Sequence, residues 1–345
     1  MKKVLVTLAK YGISILILYW LFQQAKQADQ FDVLWSSEKR YGWLIFAVFT
    51  GVGTALVSFY RWYLLVRALG LEFSYYDAVR LGFLGNLLNL MSIGVLGGDA
   101  IKAVFLARQM PGRAPEAVAS VIFDRAIGLL AMFSFASVAY LITDFSRTDL
   151  LHATENAALH WVCRFTILFT IIGFIGLSVL FLMPRFRESA IYKRLGNLPR
   201  VGRLFKRLVN VALTYRSRFG SVVAAFLLSI VVNLGFATTF FSIASGLSDQ
   251  HPTYAQHLVI SPIAMVANAV PLPGGLGGME AAVNYLYRAF SSAEIPTEHG
   301  FVVALGFRMI LFITAGIGLV FYITSKREIR ELSETDMTLA STASE

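Results

Sequence analysis

The sequence predicts an all-α polytopic membrane protein with about six full transmembrane helices and two broken, re-entrant helical hairpins in an inverted repeat. Three observations predict it. Apolar residues make up 57% of the chain and charged residues 15%, with a mean hydropathy of +0.65, which a soluble domain of this length would not show. Apolar runs of about 20 residues, the length needed to cross a hydrocarbon core of roughly 30 Å, recur from one end to the other. Two further apolar regions are interrupted at their middles by glycines and an acid, leaving halves too short to cross separately.

The first run, 4–22, follows Lys2 and Lys3 as a signal peptide would. Lys10 interrupts it and no small-residue cleavage site follows, so it reads as a retained helix. Span 42–66 carries Arg61-Trp62-Tyr63 near its end, read as an interfacial anchor in which arginine snorkels and the rings join a belt. The broken region 78–109 follows, then spans 117–143 and 160–183. Cys163, the single cysteine, excludes an intrachain disulfide framework and a cysteine zinc cluster, and reads as inert packing.

Segment 184–219 holds ten lysines and arginines, from Arg185 to Arg218, against one acid, Glu188. It accounts for much of the net charge of +9. No nucleic-acid motif accompanies it, so retention of basic loops in the cytoplasm explains it better than nucleic acid; contact with anionic headgroups is the second reading. Span 220–246, broken region 255–290 and span 300–324 complete the membrane domain, 1–325. The tail 326–345 is polar, low in aromatics and expected to be disordered and cytoplasmic.

With segment 184–219 inside and both broken regions re-entrant, the two termini also fall in the cytoplasm. The loops bearing Asp144, Asp149, Asp249, Glu294 and Glu298 then fall outside. The first hairpin enters from the cytoplasm and the second from outside, which makes 42–143 and 220–324 inverted halves.

The broken regions resemble each other. Asn89 precedes Gly97, Gly98 and Asp99; Asn268 precedes Gly274, Gly275, Gly277, Gly278 and Glu280. The following spans place Arg125 and Arg308 at comparable depth, 26 and 28 residues beyond the acids. A glycine turn at membrane depth frees backbone groups that lipid cannot satisfy, so it is buried in protein or lines a wet cavity. Half-helix N-termini there favour an anion such as a lipid phosphate. An intramembrane charge costs on the order of 3 kcal/mol on insertion scales, so a recurring acid and arginine point to function. The structural alternative is that Asp99 and Glu280 cap the half-helices while Arg125 and Arg308 neutralise them.

Asp124 points about 100° away from its neighbour Arg125 on a helix, so the two are not side-by-side partners. Asp124 is expected to face Lys102 or Arg80 of the first hairpin. The histidines, His152, His160, His251, His257 and His299, match no metal-ligand spacing and read as surface residues on the outer side. No phosphate loop, nucleophile elbow or metalloprotease signature occurs, and no cofactor or metal is expected.

Arg61-Trp62, GGDAIKAVFLAR from Gly97 to Arg108, VIFDRAIGL from Val121 to Leu129 and PLPGGLGGMEAA from Pro271 to Ala282 together resemble the membrane domain of lysylphosphatidylglycerol synthase/flippase proteins and their stand-alone relatives. The resemblance spans about residues 5–325. It implies an inner-membrane protein acting on lipids, with lipid translocation as the activity proposed for such domains. Two-domain members carry a soluble aminoacyltransferase domain that makes the aminoacyl-lipid. The sequence ends at Glu345 without one, so lysyl-lipid synthesis is not expected of it. One departure is Ser92-Ile93-Gly94, where relatives often have a proline before the turn.

The expected function is flippase-like translocation or binding of a phospholipid or a polyprenyl-phosphate-type lipid. Gly97, Gly98, Asp99, Lys102, Asp124, Arg125, Gly274, Gly275, Gly277, Gly278, Glu280 and Arg308 are the candidate substrate-binding residues. A second copy of the chain is a further candidate partner. The rival readings are a membrane-embedded transferase using a lipid-phosphate donor, with Asp99, Asp124 or Glu280 as base, and a non-transporting scaffold subunit.

Overall fold

The computed structural model describes residues 39–91, 96–110, 112–142, 156–182, 213–269, 276–290 and 299–342, with isolated positions between 19 and 26 and between 192 and 209. These residues form helices: α1 Tyr41–Ala68, α2 Tyr75–Met91, α3 Leu96–Gln109, α4 Ala114–Ile142, α5 Asn156–Leu182, α6 Phe219–Leu247, α7 Tyr254–Asn268, α8 Gly278–Ala289 and α9 Gly300–Thr342. Span 4–22 lies outside the described residues apart from positions 19, 20 and 22, as does most of segment 184–219.

Among the described residues, four segments are long and apolar enough to cross a membrane: Tyr41–Ala68, Ala114–Ile142, Phe219–Leu247 and Gly300–Thr324. At about 1.5 Å per residue each exceeds a hydrocarbon core of roughly 30 Å. α5 has 27 residues, with its shorter apolar stretch at Arg164–Val179. The helices α2, α3, α7 and α8 are shorter, with 17, 14, 15 and 12 residues. They come in sequential pairs, α2 with α3 and α7 with α8; α3 already opens at Leu96, so Gly97 and Gly98 lie in its first turn rather than before it, whereas α8 opens at Gly278 after Gly277. The helix α9 continues without interruption to Thr342, through most of the tail whose composition reads as disordered.

At the centre, α1 packs along α6. Their directions are opposed: the Arg40 amide, just before α1, donates to the Gly246 carbonyl near the end of α6 at 3.2 Å, and Arg40 pairs with Asp249 at 2.7 Å. At the other end the Tyr215 hydroxyl, just before α6, donates to the Leu65 carbonyl at 2.9 Å. Between them small residues face each other. A Cβ at Gly51 would lie 2.5 Å from Ile310 and 3.6 Å from Thr239, and one at Gly235 would collide with Thr54. The Thr239 hydroxyl donates to the Thr50 hydroxyl at 3.1 Å. Small side chains and threonine hydroxyls of this kind bring helices together where hydrophobic exclusion from water is absent.

The contacts repeat under exchange of α1–α4 for α6–α9. Thus α2 packs on α9 as α7 packs on α4, α3 on α4 as α8 on α9, and α2 on α3 as α7 on α8. Helix α5, packed on α4, stands outside this scheme. Two apolar clusters follow the same division. One joins Trp62, Leu65, Leu81, Leu106 and Ile127 with Tyr215 and Val222. The other joins Phe240, Ile260, Met279, Tyr287 and Phe307 with Ala47. Two ion pairs, Asp99–Arg125 and Glu280–Arg308, hold the starts of α3 and α8 to the long helices α4 and α9.

Candidate functional site

In the first hairpin, α2 and α3 approach through glycine. A Cβ at Gly98 would fall on the Gly85 carbonyl, so no other residue fits there without moving backbone. The Gly98 amide donates to the Asn89 side-chain oxygen at 2.7 Å, which satisfies one of the open donors at the start of α3. Asp99 follows in the first turn, where the helix dipole favours a negative charge.

Asp99 receives Arg125 of α4 in a fork, Nε to Oδ2 at 2.5 Å and Nη2 to Oδ1 at 2.8 Å. Such planar two-point pairing is the strong form of a carboxylate–guanidinium contact. The pair is asymmetric in access: the Asp99 side chain is 10% exposed and that of Arg125 43%. Lys102, one turn after Asp99, places Nζ 3.7 Å from Asp99 Oδ1. Its ammonium lies 5.6 Å from the ring centre of Phe59 and 5.5 Å from that of Trp62, a cation–π seat.

The second hairpin builds a corresponding pair and closes it. Arg308 of α9 donates from Nη2 and Nε to Glu280 Oε1 at 2.7 and 2.9 Å. Its Nη1 donates to the Asn268 side-chain oxygen at 3.3 Å. The other Glu280 oxygen accepts the Gly277 amide at 2.9 Å, capping α8. Gly277 has φ of +93°, in the left-handed region that favours glycine. Both charged side chains are sealed, at 5% and 1% exposure. Gly278 opens α8; Gly274 and Gly275 lie outside the described residues.

Asp124 has a partner that sequence reasoning missed. Arg61 of α1 holds it by Nε at 2.8 Å and Nη2 at 2.9 Å, and donates from Nη1 to Ser229 of α6 at 3.0 Å. Arg61 and Trp62 are therefore not an interfacial anchor: both are buried, with only Tyr63 of that triplet partly at the surface. The hydrogen-bonding partner of Asp124 is Arg61, with the Lys102 charge also bearing on it. A legible signal was present in Gly128, one turn after Asp124. A Cβ there would come within 3.0 Å of the Arg61 guanidinium, so the glycine leaves room for it.

A second correction concerns His257, expected at the surface. It is fully buried, with Nε2 2.8 Å from the Tyr287 hydroxyl and Nδ1 2.9 Å from the Thr253 carbonyl. It joins α7 to α8. His251 is partly buried beside Ser245, His299 is partly buried, and His152 lies outside the described residues. Among the described residues no group of three His, Cys, Asp or Glu is placed to hold a metal ion.

An all-helical chain with segments long and apolar enough to cross a membrane, an arginine–carboxylate pair at each broken helix and a buried third pair between the long helices defines a multi-pass membrane protein with a polar interior. The sequence profile of the lysylphosphatidylglycerol synthase TM region family matches residues 7–318, and the chain belongs to that family. Comparison with curated protein sequences finds no match.

Proposed function

We propose that the protein binds and translocates a phosphate-bearing lipid in the cytoplasmic membrane, with Arg125 as the group that receives the phosphate. The observation that carries this reading is the difference between the paired sites. Arg308 is enclosed and commits all three of its nitrogens. Arg125 is half exposed, and its Nη1 has no partner among the described residues. A guanidinium held on one edge and open on the other is a phosphate receptor by geometry and charge.

In this reading the two helix pairs are re-entrant, one from each side, and the opposed halves are an inverted repeat around a site at mid-depth, as transporters use. The termini lie in the cytoplasm, following the basic segment 184–219. Family membership supports a lipid as the substrate. The transferase reading is weakened because Asp99, Asp124 and Glu280 are each bound to an arginine, which leaves none as a free base.

The test is headgroup accessibility of fluorescent phospholipid and polyprenyl-phosphate probes in proteoliposomes. Arg125→Ala is expected to abolish movement while the protein stays folded. Movement that persists unchanged in Arg125→Ala would remove Arg125 from the site.

A further inference from the structure

We propose that Lys102 sets the charge of the ligand, so that the site completes itself with an anion of one negative charge, a phosphodiester headgroup rather than a phosphomonoester. This rests on the reading of Arg125 as the phosphate receptor.

The charges bearing on Lys102 are Asp99, Arg125, Asp124 and Arg61. With Lys102 itself, the cluster holds three cations and two anions. Asp124 is satisfied by the two-point contact of Arg61. Asp99 serves both remaining cations, bound to Arg125 and 3.7 Å from Lys102. One positive charge is left over. The counterpart pair at the second hairpin, Glu280 with Arg308, balances one to one. A surplus cation inside a bilayer is strongly disfavoured unless an anion completes it.

Lys102 is built into its place. The rings of Phe59 and Trp62 hold its ammonium, and Gly85 leaves room for its stem, since a Cβ there would lie 2.8 Å from Lys102 Cε. When an anion docks on the open edge of Arg125, Asp99 moves across to Lys102. Each charge then has one partner: anion with Arg125, Asp99 with Lys102, Asp124 with Arg61. A second negative charge on the ligand has no cation left. A phosphomonoester carries close to two charges above its second pKa of about 6, whereas a diester carries one.

The experiment is titration calorimetry of the detergent-solubilised full chain at about pH 8, with dihexanoyl phosphatidylmethanol as diester and dihexanoyl phosphatidic acid as monoester. Wild type and Lys102→Arg should bind the diester about tenfold more tightly than the monoester. Lys102→Met should weaken the diester by at least about tenfold. Asp99→Asn, with a further positive charge, should reverse the preference. The Lys102→Met/Asp99→Asn double variant should restore it, since the charge sum returns to the wild-type value. A diester-to-monoester ratio that stays constant across Asp99→Asn and the double variant overturns the proposal, even if Lys102→Met alone does not fold. Arg125→Ala separates the two readings. Loss of both ligands there, with a constant ratio elsewhere, leaves the receptor reading standing, and undiminished binding there removes it.

Discussion

Removing one member of the Arg61–Asp124 pair leaves the other charge buried among α1, α4 and α6, where water cannot reach it. Arg61→Met should therefore destabilise the protein by about 3–5 kcal/mol, and Asp124→Leu by a similar amount. The double variant Arg61→Met/Asp124→Leu should recover most of that loss, because the desolvation penalty of both ions disappears together. Thermal unfolding in detergent measures it; a double variant no more stable than the singles would mean the pair has further indispensable partners. Arg308→Ala belongs to the same class, since it leaves Glu280 enclosed without its cation. It should lower the unfolding midpoint far more than Arg125→Ala, whose side chain is half exposed. The sequence made the Asp99–Arg125 and Glu280–Arg308 pairings legible, because the motif recurs with nearly equal spacing. It did not reveal Arg61 with Asp124, which are 63 residues apart and have no repeat to compare. Nor does spacing carry the difference in exposure between Arg125 and Arg308, which depends on how neighbouring helices close.

The short helix pairs are held together by devices that differ between the halves. In the first, α2 and α3 touch backbone to backbone at Gly85 and Gly98. Gly98→Ala must push the Gly85 carbonyl aside, and should destabilise by about 1–3 kcal/mol while displacing Asp99 from Arg125. Proteoliposome transport should fall more steeply than the unfolding midpoint; wild-type transport in this variant would show that the close approach is not needed. In the second pair, the buried His257–Tyr287 contact joins α7 to α8, with Thr253 and Gln256 forming a reciprocal cap at the start of α7. Tyr287→Phe removes the hydroxyl opposite His257 Nε2 and should cost about 1–3 kcal/mol, the penalty of a buried polar atom left unpaired. The element boundaries were readable because glycines interrupt long apolar runs. The burial of His257 was not, because a lone histidine near a predicted loop carries no periodicity that shows which way it turns.

For the whole molecule, the exchange of α1–α4 with α6–α9 has a consequence for topology. The equivalent helices α1 and α6 run antiparallel, as the contacts of Arg40 with Gly246 and Asp249 at one end and of Leu65 with Tyr215 at the other require. Both are long and apolar enough to cross the bilayer. Halves that repeat the same packing with opposed lead helices are related by an axis in the membrane plane, so corresponding loops face opposite sides. The loop after α1 holds the exposed Glu72, and the loop after α6 holds the exposed Gln250. In a Cys163→Ser background, Glu72→Cys and Gln250→Cys should react with a membrane-impermeant maleimide from opposite sides. Gln250→Cys should be labelled in intact cells and Glu72→Cys only after the membrane is opened, which follows from retention of the basic segment 184–219 inside. Labelling of both from one side would mean that the halves are not inverted in the membrane. A mid-depth site reached alternately from each leaflet would then lose its structural basis, since the open Asp99–Arg125 pair and the closed Glu280–Arg308 pair would no longer be counterparts on opposite sides.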